Sequence, residues 1–233
     1  MKILIIALVS VFGCLTGFAQ EKEHAVWLYT SATYKVSKHW SLYVDNQFRS
    51  SDEVKYFRQF ITRPGVIYHF NKNQFVAVGY AYAKTNRLLD GVPDNNISED
   101  RLWEQFSYLH RVGAFYATQR LRLEQRNFKT PGKEDVFSQR FRVYTRYLLP
   151  LRHQQEKFVK GAFAALQNEI YLNVQNKDMV SGSLLDQNRA YLSFGYRFGS
   201  HLDLEVGLLN QYVKRLNVNI TNTVGQLGII TRL

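Results

Sequence analysis

The chain has 233 residues, a formal charge of +11, aromatic residues at 15% (16 Phe, 15 Tyr) and one cysteine, Cys14. That length holds one β domain or two small ones, and a single cysteine excludes a disulfide framework. No apolar run reaches the roughly 20 residues of a spanning helix.

From the N-terminus, Met1-Lys2, an apolar run Ile3–Phe12 and the small-x-small end Gly17-Phe18-Ala19 have the order of a secretory signal peptide. Cleavage after Ala19 is expected, giving residues 1–19 as signal peptide and 20–233 as one domain. Cys14 leaves with the signal. A lipoprotein cysteine at that position is the competing reading, with Phe12 an awkward neighbour for it. Export sets nucleic acid aside as the partner of the basic charge, and the arginines sit inside strand-like runs rather than in a basic tail.

Eleven strand-like runs follow, near 25–36, 40–50, 56–70, 74–86, 101–112, 115–129, 136–149, 158–174, 187–199, 202–214 and 221–232. Many exceed the ~5–6 residues usual for globular strands and reach the ~9–11 of a tilted transmembrane strand. Short connections (Ser37–His39, Asn71–Asn73, Gly113–Ala114, Ser200–His201) alternate with longer ones (Ser51–Lys55, Arg87–Asp100, Thr130–Asp135, Asn176–Asp186, Arg215–Ile220). The connection Pro150–Glu156 is intermediate. That alternation is the habit of a membrane barrel with short periplasmic turns and longer extracellular loops. Antiparallel closure requires an even strand number. Ten or twelve strands are therefore expected, with 25–36 the suspect run or a further strand hidden in 158–174.

Period two assigns the faces. Trp40, Leu42, Val44 and Phe48, then Val76, Val78, Tyr80 and Tyr82, then Leu192, Phe194, Tyr196 and Phe198 are expected outward. Trp40, Tyr80, Tyr82 and Tyr147 suit interfacial girdles. Tyr43, Asp45, Gln47 and Arg49, and later Arg189, Tyr191 and Arg197, are expected inward. The plainest alternation joins two neighbouring runs. Arg120, Arg122, Glu124 and Arg126 share one face of the first; Arg140, Arg142 and Arg146 share one face of the second. A soluble sandwich would wet that face and bury Phe141 and Val143. A membrane barrel does the reverse, since a charge facing lipid at mid-depth costs ~2–4 kcal/mol. Strand length, loop parity and the export signal favour the barrel.

The order of several short motifs adds to this. They are Trp27; Trp40 to Arg49, ending Gln47-Phe48-Arg49; Arg63-Pro64-Gly65 with Tyr68; and Gly79-Tyr80. After them come Glu99-Asp100-Arg101-Leu102-Trp103-Glu104-Gln105, the run Arg120–Arg126, Arg140-Phe141-Arg142 through Arg146-Tyr147, Asn168-Glu169 and Gln187-Asn188-Arg189. In these the chain resembles the uncharacterised outer-membrane barrels grouped as domain of unknown function 2490, over nearly all of its mature length. The resemblance implies an outer-membrane barrel of a Gram-negative bacterium and supplies no activity, cofactor or catalytic residue. The chain departs from many such barrels in ending in Leu233 rather than an aromatic residue.

The expected site is an arginine-rich lumen: Arg120, Arg122, Arg126, Arg140, Arg142, Arg146, Arg189 and Arg197, with Glu124, Glu169 and Glu205 as acidic partners too few to neutralise them. One reading is a narrow anion-selective pore for small acidic solutes, because guanidinium groups bind carboxylates and phosphates bidentately. The other is a closed structural or binding barrel whose interior is knitted by hydrogen bonds and whose long loops meet partners. An enzyme is not the expected class. The spacing His39-Trp40-Ser41 places two groups of a lipid hydrolase on one strand face but lacks a third. The isolated histidines show no metal-ligand spacing. The acidic stretch Leu89–Asp100 lacks the order of a calcium loop. Outer-membrane lipid and small anions are the partners implied, with no cofactor.

Overall fold

The computed structural model describes residues 20–86, 96–152 and 158–233; the expected signal peptide and most of the acidic stretch 89–100 lie outside them. The described chain is a closed barrel of eleven strands. They are β1 Gln20–Lys35, β2 Trp40–Ser50, β3 Phe57–His69, β4 Gln74–Thr85, β5 Ile97–Val112, β6 Phe115–Lys129, β7 Val136–Pro150, β8 Lys160–Gln175, β9 Leu185–Phe198, β10 Leu202–Val213 and β11 Asn219–Arg232. Two 3₁₀ turns, Asp52–Val54 and Lys177–Met179, lie in long connections. Among the described residues no helix is long and apolar enough to cross a membrane.

The expectation of ten or twelve strands is corrected. The suspect first run is a full strand, and the long eighth run is a single strand. With an odd count the first and last strands run the same way. The barrel closes by pairing β1 with β11 in parallel, from Gln20↔Asn219 to Thr33↔Arg232. A parallel ladder satisfies both edges as an antiparallel one does, so no edge is left. All other neighbours pair antiparallel.

The expected faces hold, because one parity of every strand is apolar. Leu121 is 45% exposed and Leu208 66%, while Arg142, between Phe141 and Val143, is 4% exposed. Aromatic clusters mark both ends of the outer wall. Trp40, Tyr68 and Phe70 stack edge to face near the short turns, with centroids 4.9 and 5.4 Å apart. Phe48, Phe57 and Phe60 gather near the long loops. The outer wall's polar exceptions satisfy one another across strands: Gln125 donates to Glu104 at 3.0 Å, Thr145 to Gln119 at 2.5 Å and Asn168 to Asn188 at 3.2 Å.

One packing unit explains several motif residues together. Gly65 and Gly79 face each other in register, and the Trp103 indole lies over both. A Cβ on Gly65 would come within 2.6 Å of it, and one on Gly79 within 2.4 Å. Pro64 lies opposite Tyr80 in that register and has no N–H to offer its carbonyl. The Trp103 Nε1–H donates to that carbonyl at 3.1 Å.

Candidate functional site

The lumen is where the sequence places its charges, and strands β5–β8 bring them together. Arg122 stands directly opposite Arg142, and Glu124 opposite Arg140. Like charges face to face repel, so the carboxylates decide the arrangement. Glu124 accepts from Arg140 Nε and Nη2 at 3.0 and 2.6 Å and from Arg142 Nη1 at 2.5 Å. Arg122 lies 3.9 Å from the oxygen that Arg142 reaches and donates to Gln105 at 3.0 and 2.6 Å. Glu169 accepts from Arg142 at 3.1 and 2.7 Å, from Arg120 at 2.7 Å and from the Tyr171 hydroxyl at 2.7 Å. Glu124 is 0% exposed, and Arg122, Arg140, Arg142, Trp103 and Tyr171 are all buried. Charge-assisted bonds of this kind are the strong ones, and such a network compensates desolvation only if nearly every member is satisfied.

Two flanking clusters extend it. Toward the long loops, Glu99 binds Arg101 at 2.7 and 2.6 Å and Arg126 at 2.5 Å. Asp186 binds Arg140 at 2.7 Å. Toward the short turns, Asp45 holds Arg63 through contacts of 2.5–3.0 Å and accepts from Tyr43 at 2.6 Å. Glu205 holds Arg146 by two contacts. Asp203 binds Arg197 at 2.9 and 2.8 Å and Arg232 at 2.6 Å.

The expected acidic partners Glu124, Glu169 and Glu205 are all engaged, and Asp45, Glu99, Asp186 and Asp203 join them. Glu99 and Asp186 were placed in loops by the sequence. They are strand residues instead, because β5 begins at Ile97 and β9 at Leu185. Parity with Arg101 was the available signal for Glu99; Asp186 has the opposite parity to Arg189 and lies where the β8–β9 ladder shifts register, between Gln187 and Leu185. Asp100 turns outward to Tyr80 and to Lys129, at 2.9 Å from the latter. Of the acidic stretch, then, the described end serves two ion-pair sets. Among the described residues no group of His, Cys, Asp and Glu is arranged to hold a metal ion.

Of the eight arginines the sequence singled out, seven lie within ion-pair distance of a carboxylate. Arg189 is the exception. It stands opposite Glu169 in register, but Arg120, Arg142 and Tyr171 occupy that carboxylate. Arg189 turns instead over Trp27 and Tyr171, 5.4 and 4.9 Å from their centroids.

At the short-turn rim the lumen opens into a cavity of about 1300 Å³, with Lys35, Lys38, His39, Lys72, His201 and Arg232 in its wall and, among the described residues, no Asp or Glu lining it. Ser41 lines it too. The ring that reaches the Ser41 hydroxyl is His69, whose Nε2 is 3.0 Å away. His39, the partner suggested by spacing, uses Nδ1 on the His69 carbonyl at 2.9 Å. The cross-strand neighbour from β3 displaces the same-strand one. Among the described residues nothing hydrogen-bonds the other nitrogen of the His69 ring.

An uncharacterised protein of Methylorubrum extorquens is 27% identical over 172 residues, covering 72% of this chain and 70% of that protein. No solved structure matches the chain. The model of a family described as protein of unknown function, DUF2490, matches residues 24–222. With its closed β cylinder and buried charges, the chain belongs to that family.

Proposed function

We propose that this protein is an outer-membrane β-barrel with a closed lumen, acting by binding at its mouths rather than by conducting solute. One observation carries the closed state: the Glu124-centred network is buried beside Trp103 and Tyr171. A water-filled passage would wet the side chains that line it. Insertion is supported by the outer wall, whose apolar residues are exposed all round between two aromatic ends. Soluble proteins rarely expose apolar surface on that scale, and acyl chains would cover it. The short-turn rim then faces the periplasm and the long loops face outward. The signal peptide read from residues 1–19 supplies the export route.

Fractionation is expected to place the mature protein in the outer membrane, and planar bilayers holding well-inserted barrel to stay electrically silent. A soluble periplasmic protein would end the membrane reading. Anion-favouring currents that fall when Arg142 and Arg146 are neutralised would replace the closed lumen with an anion track. A second reading, lipid hydrolysis, has one observation behind it, the Ser41–His69 contact. It requires acyl release by the parent protein and its loss in Ser41→Ala.

A further inference from the structure

We infer that Arg49 and Arg189, whose guanidinium groups both lie over Trp27 near the long-loop mouth, form a seat for a small organic carboxylate. This rests on the closed-barrel reading only for the direction of entry.

The inference comes from sorting the lumen arginines by partner. Those on β5–β8 are held by carboxylates. Arg49 and Arg189 have none within ion-pair distance among the described residues. Arg49 faces Trp27 and Gln59 in register. It donates to Gln59 Oε1 at 2.8 Å and to Gln47 Oε1, and its guanidinium lies 4.1 Å from the indole centroid. Arg189 donates to Gln187 Oε1 at 3.0 Å and lies over the same indole. In both, Nε is buried with no hydrogen-bond partner. Buried N–H groups of a cation are costly to leave unpaired, and the acceptors these two guanidinium groups do reach are glutamine carboxamides. Gln211 in turn donates to Gln187 at 2.9 Å.

The chemistry selects the ligand. Two positive charges without a protein counter-ion call for an anion. The Nε edge of a guanidinium presents planar, parallel donors that match the two oxygens of a carboxylate. Arg49 is near the end of β2 and Arg189 near the start of β9, both at the long-loop end, so the ligand enters from that mouth.

The test uses the whole barrel refolded into neutral lipid vesicles, with succinate and inorganic phosphate as probes, followed by calorimetry and tryptophan fluorescence. Saturable succinate binding is expected. It should weaken by about ten- to a hundredfold in Arg49→Gln and in Arg189→Gln, the loss of a charge-assisted bond. It should stay unchanged in Lys38→Gln/Lys72→Gln at the opposite rim. Trp27→Phe should keep binding and lose the fluorescence response, which separates a seat at this indole from a general effect on folding. Absence of succinate binding, binding of phosphate alone, or binding that survives both arginine changes overturns the seat. A silent barrel without binding loses the seat and keeps the closed lumen. A conducting barrel that binds at Arg49 does the opposite.

Discussion

Glu124 on β6 and Trp27 on β1 each gather arginines around them, and they leave those arginines in opposite states. Around Glu124 the guanidinium groups are locked by charge and excluded from solvent. Around Trp27 they rest on an aromatic ring and donate to carboxamides. The residue type is the same. What differs is whether an acid of the right parity stands opposite or one diagonal step away and still has a free oxygen. An arginine in a barrel wall is therefore structural or available according to its cross-strand neighbour, not its own burial.

The largest effect expected from this contrast is in stability. Glu124→Gln leaves Arg140 and Arg142 short of a counter-ion in a buried site, and removal of one member of such a pair costs about 3–5 kcal/mol. Arg49→Gln abandons no carboxylate and is expected to cost about 1 kcal/mol or less. Denaturant melts of barrels in lipid vesicles measure both, and equal losses would erase the distinction between the two sets of arginines. Packing offers a second contrast. Gly79→Ala drives a Cβ into the Pro64 carbonyl at 2.3 Å and the Trp103 ring at 2.4 Å, whereas a Cβ on Gly225 meets nothing within 4 Å. Overpacking of that kind costs about 1–3 kcal/mol, so Gly79→Ala should lower the melting midpoint and Gly225→Ala should not. The smallest effect sets the inner wall against the outer. Glu104 is an acid on the apolar face that accepts a hydrogen bond from Gln125. If acyl chains cover that face, as proposed, charge on it is destabilising, and Glu104→Leu is expected to raise stability by about 1 kcal/mol. A loss instead would mean that the outer wall around Glu104 meets something other than acyl chains.

Much of this architecture was written in period-two alternation. The runs at 40–50 and 115–129 match β2 and β6 residue for residue, and Arg142 faces inward between Phe141 and Val143 as alternation requires. The strand count failed for a specific reason. Parity assumes that first and last strands meet antiparallel, and nothing local in Ala25–Val36 announces a parallel neighbour about 200 positions away, as Ser31 has in Thr231. The acidic partners were half legible. Glu124 and Glu169 lie inside obvious strands, while Glu99 and Asp186 sit at strand starts that turn-like composition disguised. The Ser41–His69 contact was not legible, because it depends on the register of β2 against β3. Gly65, Gly79 and Trp103 appeared as separate motif residues, and only the closed sheet brings them to one spot.

The parallel β1–β11 seam also bears on how the molecule is made. Every other ladder joins strands that are consecutive in the chain, so ten hairpin-like contacts form from local partners, while the last joins the two extremes. Closing that loop carries the largest entropic cost, and until it happens two strands offer bare peptide groups, which in the outer-membrane setting proposed above hydrocarbon would not solvate. Assembly is thereby made all-or-none. A ribosome that stops before the final strand delivers a ribbon with two sticky margins, fit for degradation rather than for a bilayer.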